Sequence, residues 1–446
     1  MNRTFIVLTI FILGMLSTAK DAEAQGKWSS EIPTEFRDAK QWKDTIDLLE
    51  KRDLYYGAMA AASRMIIFFN DLPSKEHAYK AIIRLVDMGY PYSTVGLFIS
   101  GDIEPRDQYE FVNSYNLYKA ILNKEKGMDR WAESYFSNVD KENFSKYLFY
   151  QALEEYSQGH LDKAEEILRK ILAKKIGDDQ VSFVRKTTRT LARVYFDKED
   201  YKKSFDIYKT FLLKLNPVVP SDYLEAAWNL YYLKRYSEAL GSLYNLESSL
   251  GDKSLDLERY TLRALIYKAL CRTKNFETLG AAFQKQFGAV VEGLKRGESL
   301  MSYPQLKEFK VPGNAEYQQV ALTVQELASE KKNLKDVPEP TLKLLNYLYD
   351  SEMRLLMTRA RGLEMKALDR AAGQLLLMAE QLRFMKFEVA RQKFNPDSVF
   401  IPSETFGDSF ATSKDQEFRI RWVQLGDFWR DERLSYRGVV ANQCTQ

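Results

Sequence analysis

Few residues of this 446-residue chain are equipped to make or break bonds. Cys271 and Cys444 are the whole thiol complement, and His77 and His160 the whole imidazole complement. Two thiols can form one disulfide where the compartment is oxidising. Neither histidine has a Cys or a second His at ligand spacing, so the parts for a His-based metal site or a catalytic triad are missing. No phosphate loop, GxGxxG or GxSxG occurs. Acidic pairs such as Glu154-Glu155 and Glu165-Glu166 read as solvated helix faces. These observations assign no catalytic, metal or cofactor-binding residue.

Recognition is better supplied. Aromatics make up 13% of the chain while Gly and Pro are sparse, which favours long helices over turn-rich sheets. The stretch AAWNLYYLKRYSEALGSLYNL (226–246) sets small residues at fixed distances among large aromatics. Two helices whose axes approach closely need a small residue at the contact and bulky neighbours three or four positions away. The pattern repeats in YLFYQALEEYSQGHLDKAEEILRKIL, TRTLARVYFDKEDYKKSFDIYKTFL, LEAAWNLYYLKRYSEALGSLYNL and LRALIYKALCRTKNFETLGAAF.

These four segments resemble the tetratricopeptide repeat (TPR), a helix-turn-helix unit of about 34 residues. The second-helix small position falls on Ala164, Ser204, Ala239 and, substituted, Leu279. The aromatic three residues earlier falls on Leu161, Tyr201, Tyr236 and Phe276, and the first-helix small position on Ala152, Ala192, Ala227 and, poorly, Tyr267. Gly159 alone keeps the turn glycine. The fold expected is all-α: a TPR-like α-solenoid, then a long coiled-coil-like helical segment and an aromatic irregular tail. What the resemblance implies is a concave groove lined by first helices, in which an extended peptide lies. Its central residues would be Trp228, Tyr231 and Tyr232, flanked by Arg189 and Arg193 on one side and Lys268 and Arg272 on the other. Aromatic anchors with arginine are typical of interface hot spots, so an aromatic-bearing, somewhat acidic peptide is the expected guest. The alternative is that Trp228 and Tyr231 only pack between repeats.

The chain opens MNRTFIVLTIFILGMLSTAKDAEAQ, with a basic residue, an apolar run and a small-residue site. This reads as a secretory signal peptide over 1–24, cleaved before Gln25; the apolar run of about 12 residues is short of the ~20 needed to span a bilayer. A periplasmic location follows as the expectation. There a Cys271–Cys444 disulfide is the default pairing, and it would pin the tail to the groove side of the fourth repeat. The formal charge of +3 gives no electrostatic case for nucleic acid, and membrane association is expected only through partners.

Residues 25–140 have the same texture as the repeats, as in DLYYGAMAAASRMIIFF, and read as a diverged TPR-like region preceding the solenoid at 141–300. Prolines in SYPQLKEFKVPGN and DVPEP mark 301–339 as a linker with one helix. From Leu345 through Tyr349, Leu356, Ala367 and Leu375 to Val389, apolar residues recur every three or four positions across 340–394. That segment is one long helix or, bent at Gly362 or Gly373, a helical hairpin; it either caps the solenoid or projects as a rod. The tail, 395–446, is rich in Phe and Trp.

Signal peptide, TPR solenoid, long helix and a closing FWRDERLSY with a terminal Cys together look like periplasmic TPR proteins of delta-proteobacterial type. Some of those serve envelope machines such as gliding-motility complexes. The resemblance implies a non-enzymatic adaptor or scaffold holding protein partners in the cell envelope, its groove open to them or to its own tail. Two alternatives stand beside it. One is a peptidoglycan-modifying enzyme or its accessory, because Glu298-Ser299 matches the catalytic dipeptide of soluble lytic transglycosylases, although their glycine-rich continuation is absent. The other is a chaperone for outer-membrane polypeptides.

Overall fold

The computed structural model describes residues 34–90, 103–105, 108–174, 181–247, 255–309, 311, 314–334, 337–394, 438, 440 and 442–444. The signal-peptide reading (1–24) and the aromatic stretch around Phe428 and Trp429 lie outside these residues. Among the described residues all regular structure is helical. Fifteen α-helices follow one another: α1 (Ala39–Lys51), α2 (Tyr55–Phe68), α3 (Leu72–Asp87), α4 (Tyr109–Glu125), α5 (Asp129–Ser137), α6 (Ser145–Ser157), α7 (Leu161–Ala173) and α8 (Val181–Asp197). Then come α9 (Tyr201–Thr210), α10 (Pro220–Tyr232), α11 (Tyr236–Glu247), α12 (Asp256–Ala269), α13 (Thr273–Lys295), α14 (Ala315–Lys332) and α15 (Glu339–Phe394).

Consecutive helices pack in pairs, and the small residues explain where. Ala152, Ala164, Ala192, Ser204, Ala227 and Ala239 are all inaccessible to solvent, as close approach of helix axes requires. The turns repeat at the level of the backbone. Asp53, Gly127, Gly159, Glu199, Lys234 and Cys271 each have φ between 51° and 71°, or 81° at Gly159, and each stands two residues before the next helix. At Gly159 the amide donates to Tyr156 O and the following amide to Glu155 O; the same two bonds recur at the other five positions. This is the Schellman closure, which satisfies carbonyls left over at a helix end. Glycine adopts that conformation freely, whereas Glu199 and Lys234 carry a left-handed penalty of about 1–2 kcal/mol. Side-chain identity thus differs among the six turns while their backbone geometry is the same.

The chain divides into two compact units. Unit 1 comprises the described residues up to Asp200 together with Pro304–Ala371; unit 2 comprises Tyr201–Tyr303 and residues from Ala372 on. In unit 1, Trp42, Ile46, Leu49, Met65 and Tyr79 of the first three helices share one core with Leu344, Leu345, Leu348 and Tyr349 of α15. Thus the amino-terminal helices are completed by a segment some 300 residues downstream.

Residues 339–394 are one helix of 56 residues, about 84 Å long, not a hairpin. It runs through Gly362 and Gly373, both of which are exposed. Neither is it a free rod: in unit 1 Asn314 Nδ2 donates to Ala367 O at 2.9 Å, Arg359 pairs with Glu316 at 2.7 Å, and Lys307 pairs with Glu364.

Two buried polar contacts lock α15 in unit 1. Arg64, set in the apolar run AAASRMIIF, reaches Glu352 at 2.7 Å with both side chains at most 5% exposed. Glu330 of α14 accepts the backbone amides of Tyr56 (2.9 Å) and Gly57 (2.8 Å) and the Tyr349 hydroxyl (2.8 Å). A carboxylate here satisfies orphan donors at the α2 amino terminus and meets its dipole. Gly57 is required by the approach: a Cβ there would stand 2.1 Å from the Tyr349 hydroxyl oxygen.

Candidate functional site

Helix α10 begins on Pro220, whose missing N–H costs nothing at a helix start. Tyr223, Leu224, Ala226, Ala227 and Leu230 turn into the core of unit 2, each at most 3% exposed. The three- and four-residue spacing leaves Trp228, Tyr231 and Tyr232 together on the other side, half-buried. There they make one continuous row with two tyrosines of neighbouring helices. Tyr201 stacks on Tyr232 with centroids 4.5 Å apart and planes 8° from parallel. Tyr232 lies 6.2 Å from Trp228, and Trp228 meets Tyr231 edge-on at 5.9 Å. Tyr231 then reaches Tyr236 at 5.7 Å. Each such contact is worth about 0.5–1.5 kcal/mol beyond area burial, so the row is a pre-set platform whose rings are already ordered.

Its polar fittings are fixed as well. Trp228 Nε1 donates to Glu258 Oε1 of α12 at 2.6 Å. Arg235 lies over the Phe205 ring at 4.9 Å and forks onto both Glu238 oxygens at 2.8 and 2.6 Å. Burial pushes the Tyr236 hydroxyl up to about 12, so that tyrosine is neutral across physiological pH. Chemically the row can stack on and desolvate flat or apolar groups. Among the described residues no group of His, Cys, Asp and Glu is arranged to hold a metal ion.

The other expected groove residues are dispersed between the units. Arg189 and Arg193 lie half-buried on α8 in unit 1, where burial holds the Asp197 carboxyl above the usual aspartate range against the lowering effects of the Tyr156 hydroxyl and of Arg193. Lys268, at the end of α12, is paired with Glu388 of α15. Arg272 stands at the N-cap position of α13 without a capping bond from its side chain. Tyr201 and Tyr236 hold the repeat's aromatic position; their part in the row follows from the short turns before α9 and α11.

Cys271 and Cys444 lie at bonding distance, Sγ–Sγ 2.12 Å, with Cα atoms 4.9 Å apart. The described end of the tail is a strap. Gly438 N donates to Ser237 O at 2.8 Å, Ser237 Oγ donates back to Gly438 O at 2.6 Å, and Gln443 N donates to Leu270 O at 3.0 Å. Leu270 O is one of the carbonyls that the end of α12 leaves unpaired, so the strap also caps that helix. Gly438 packs on Leu240, which leaves no room for a Cβ. The backbone hydrogen bonds of the described tail residues thus go to Ser237, beside Tyr236 at the start of α11, and to the end of α12.

Glu298 lies on the surface beyond α13, accepting from Arg296 at 2.6 Å and from Tyr303. The Tyr303 hydroxyl and the Arg296 guanidinium hold its carboxyl below the usual glutamate range. A general acid needs the opposite shift.

No helix among the described residues is long and apolar enough to cross a membrane. Comparison of the chain with protein-family models, with curated proteins and with solved structures finds no match in any of the three.

Proposed function

We propose that this chain is a non-enzymatic, TPR-like adaptor that works in the periplasm after removal of its leader and holds envelope proteins together. The observation that carries the reading is the unbroken row Tyr201–Tyr232–Trp228–Tyr231–Tyr236, half-buried and already ordered. Paired helices joined by repeated Schellman turns support the TPR likeness. The guest is an extended segment bearing aromatic side chains. Its acidic character, expected from the flanking basic residues, has less support in unit 2, because Lys268 is matched by Glu388. The peptidoglycan-cleaving alternative has less support too, since Glu298 is ion-paired and held ionised.

Photo-crosslinking in the native envelope from a reactive residue at Trp228 tests the proposal. An adduct with one separate envelope protein is the expected result and names the partner. Adducts with many unrelated polypeptides indicate a chaperone, and adducts with residues 395–446 of the same chain indicate a surface already occupied. Peptidoglycan clearing in a zymogram, abolished by Glu298→Gln, would replace the adaptor reading with an enzymatic one.

A further inference from the structure

The carboxyl-terminal half of α15 is apolar on two opposite sides. Leu375, Met378, Leu382, Met385 and Val389 form the seam read from the sequence, and they are buried in unit 2, 0–8% exposed. Gly373, Leu377, Glu380, Phe384, Phe387 and Arg391 follow each other at steps of four, three, four, three and four, which is heptad spacing on the diametrically opposite face. There Leu377, Phe384 and Phe387 are 52%, 62% and 69% exposed, and Gly373 has open space above it. Two phenylalanines and a leucine in one exposed stripe are what a covered surface presents.

The adjoining sequence says what covers it. Residues 377–393, the stretch to be covered, carry four basic side chains against Glu380 and Glu388, a net +2; Glu380 is engaged by Lys295 and Arg383, and Glu388 by Lys268. Residues 395–417, which follow directly, carry five acids against Lys414, a net −4, with Val399, Phe400, Phe406 and Phe410 among them. Leu377 lies about 26 Å back along the helix from Phe394, a distance that about eight extended residues cover. The far end of this part of the chain is held in the same unit, by Gly438 on Ser237. Length, tethering, charge and apolar content all match.

We propose that residues 395–417 pack back along α15 and cover Leu377, Phe384 and Phe387, their acids facing Arg383, Lys386 and Arg391. This inference is independent of the adaptor reading, because it uses neither the aromatic row nor a partner. The test places p-benzoylphenylalanine at position 384 of the full chain, followed by irradiation, digestion and mass spectrometry. An intramolecular adduct within 395–417 is expected. Adducts with a second copy, with another protein or with a different part of the chain overturn the proposal, as does the absence of any adduct. A second readout is tryptic cleavage at Lys414, in a Phe384→Glu, Phe387→Glu double variant whose thermal unfolding matches the parent. Release of the segment should accelerate that cut about tenfold. Unchanged cleavage would likewise overturn the proposal.

Discussion

In unit 1, α15 is held by charge taken out of water: Arg64 on Glu352, and Glu330 on two backbone amides and Tyr349. In unit 2 the same helix is held by pairs that stay wet, Lys268–Glu388 and Lys295–Glu380, while a covalent link and a strap hold that unit's carboxyl terminus. Buried pairs add little net stability over apolar packing, but breaking one strands a charge. Wet pairs contribute little either way. The comparison teaches that unit 1 has its register enforced by penalties, whereas unit 2 relies on connectivity.

Four substitutions and a pH series sharpen or break this contrast, beginning with the largest. Cys444→Ser opens a closure across 173 residues, and loop-closure entropy puts the loss at up to about 5 kcal/mol. Urea unfolding with and without reductant should show the parent falling to the variant's midpoint, and equal midpoints in oxidant would break the contrast. Glu352→Ala leaves the Arg64 charge buried and should cost about 3–5 kcal/mol, most of it recovered in an Arg64→Met, Glu352→Leu double variant. If the single and double variants unfold alike, register is not enforced by that pair. Gly57→Ala drives a methyl into Tyr349 and should lose about 1–3 kcal/mol, read as a drop in Tm.

The pH series concerns Glu330. Burial raises its carboxyl above the usual glutamate range, against the lowering effect of the Tyr56 and Gly57 amides and the Tyr349 hydroxyl. The folded chain then binds that proton more readily than the unfolded chain. The contribution is complete below the ordinary glutamate range and is lost as pH rises through the folded value. Stability relative to Glu330→Gln should therefore fall as pH rises above the ordinary glutamate range, and a flat difference would count against it. Lys268→Ala, the smallest effect, should cost less than about 1 kcal/mol and fade further in salt.

Much of this was legible in the sequence. Alanine and serine at matched positions announce close helix contacts, and all six proved inaccessible. Two cysteines in a chain with a leader-like start leave one pairing to propose, and the pair lies at bonding distance. What stayed hidden was long-range. Periodicity cannot tell a straight helix from a hairpin when its glycines are exposed and unconstrained, as Gly362 and Gly373 are. Nor does any local pattern say that Leu345 completes the core around Trp42. Arg64 was the available signal, since an arginine inside AAASRMIIF must find a buried partner. In the aromatic row, the spacing of Trp228, Tyr231 and Tyr232 puts them on one side of α10, whereas the contributions of Tyr201 and Tyr236 needed the turn geometry.

The division of unit 1 across the chain also sets a timetable. A chain emerges amino terminus first, at about 5–20 residues per second, so α1–α3 exist for roughly 15–60 seconds before Leu344 and Tyr349 are synthesised. Throughout that interval the α2 amino terminus has no Glu330 to cap it, and Trp42 has no closed core. These three helices are thus born waiting. A chain divided in this way cannot close its first core until residue 349 has been made, however fast its early helices form.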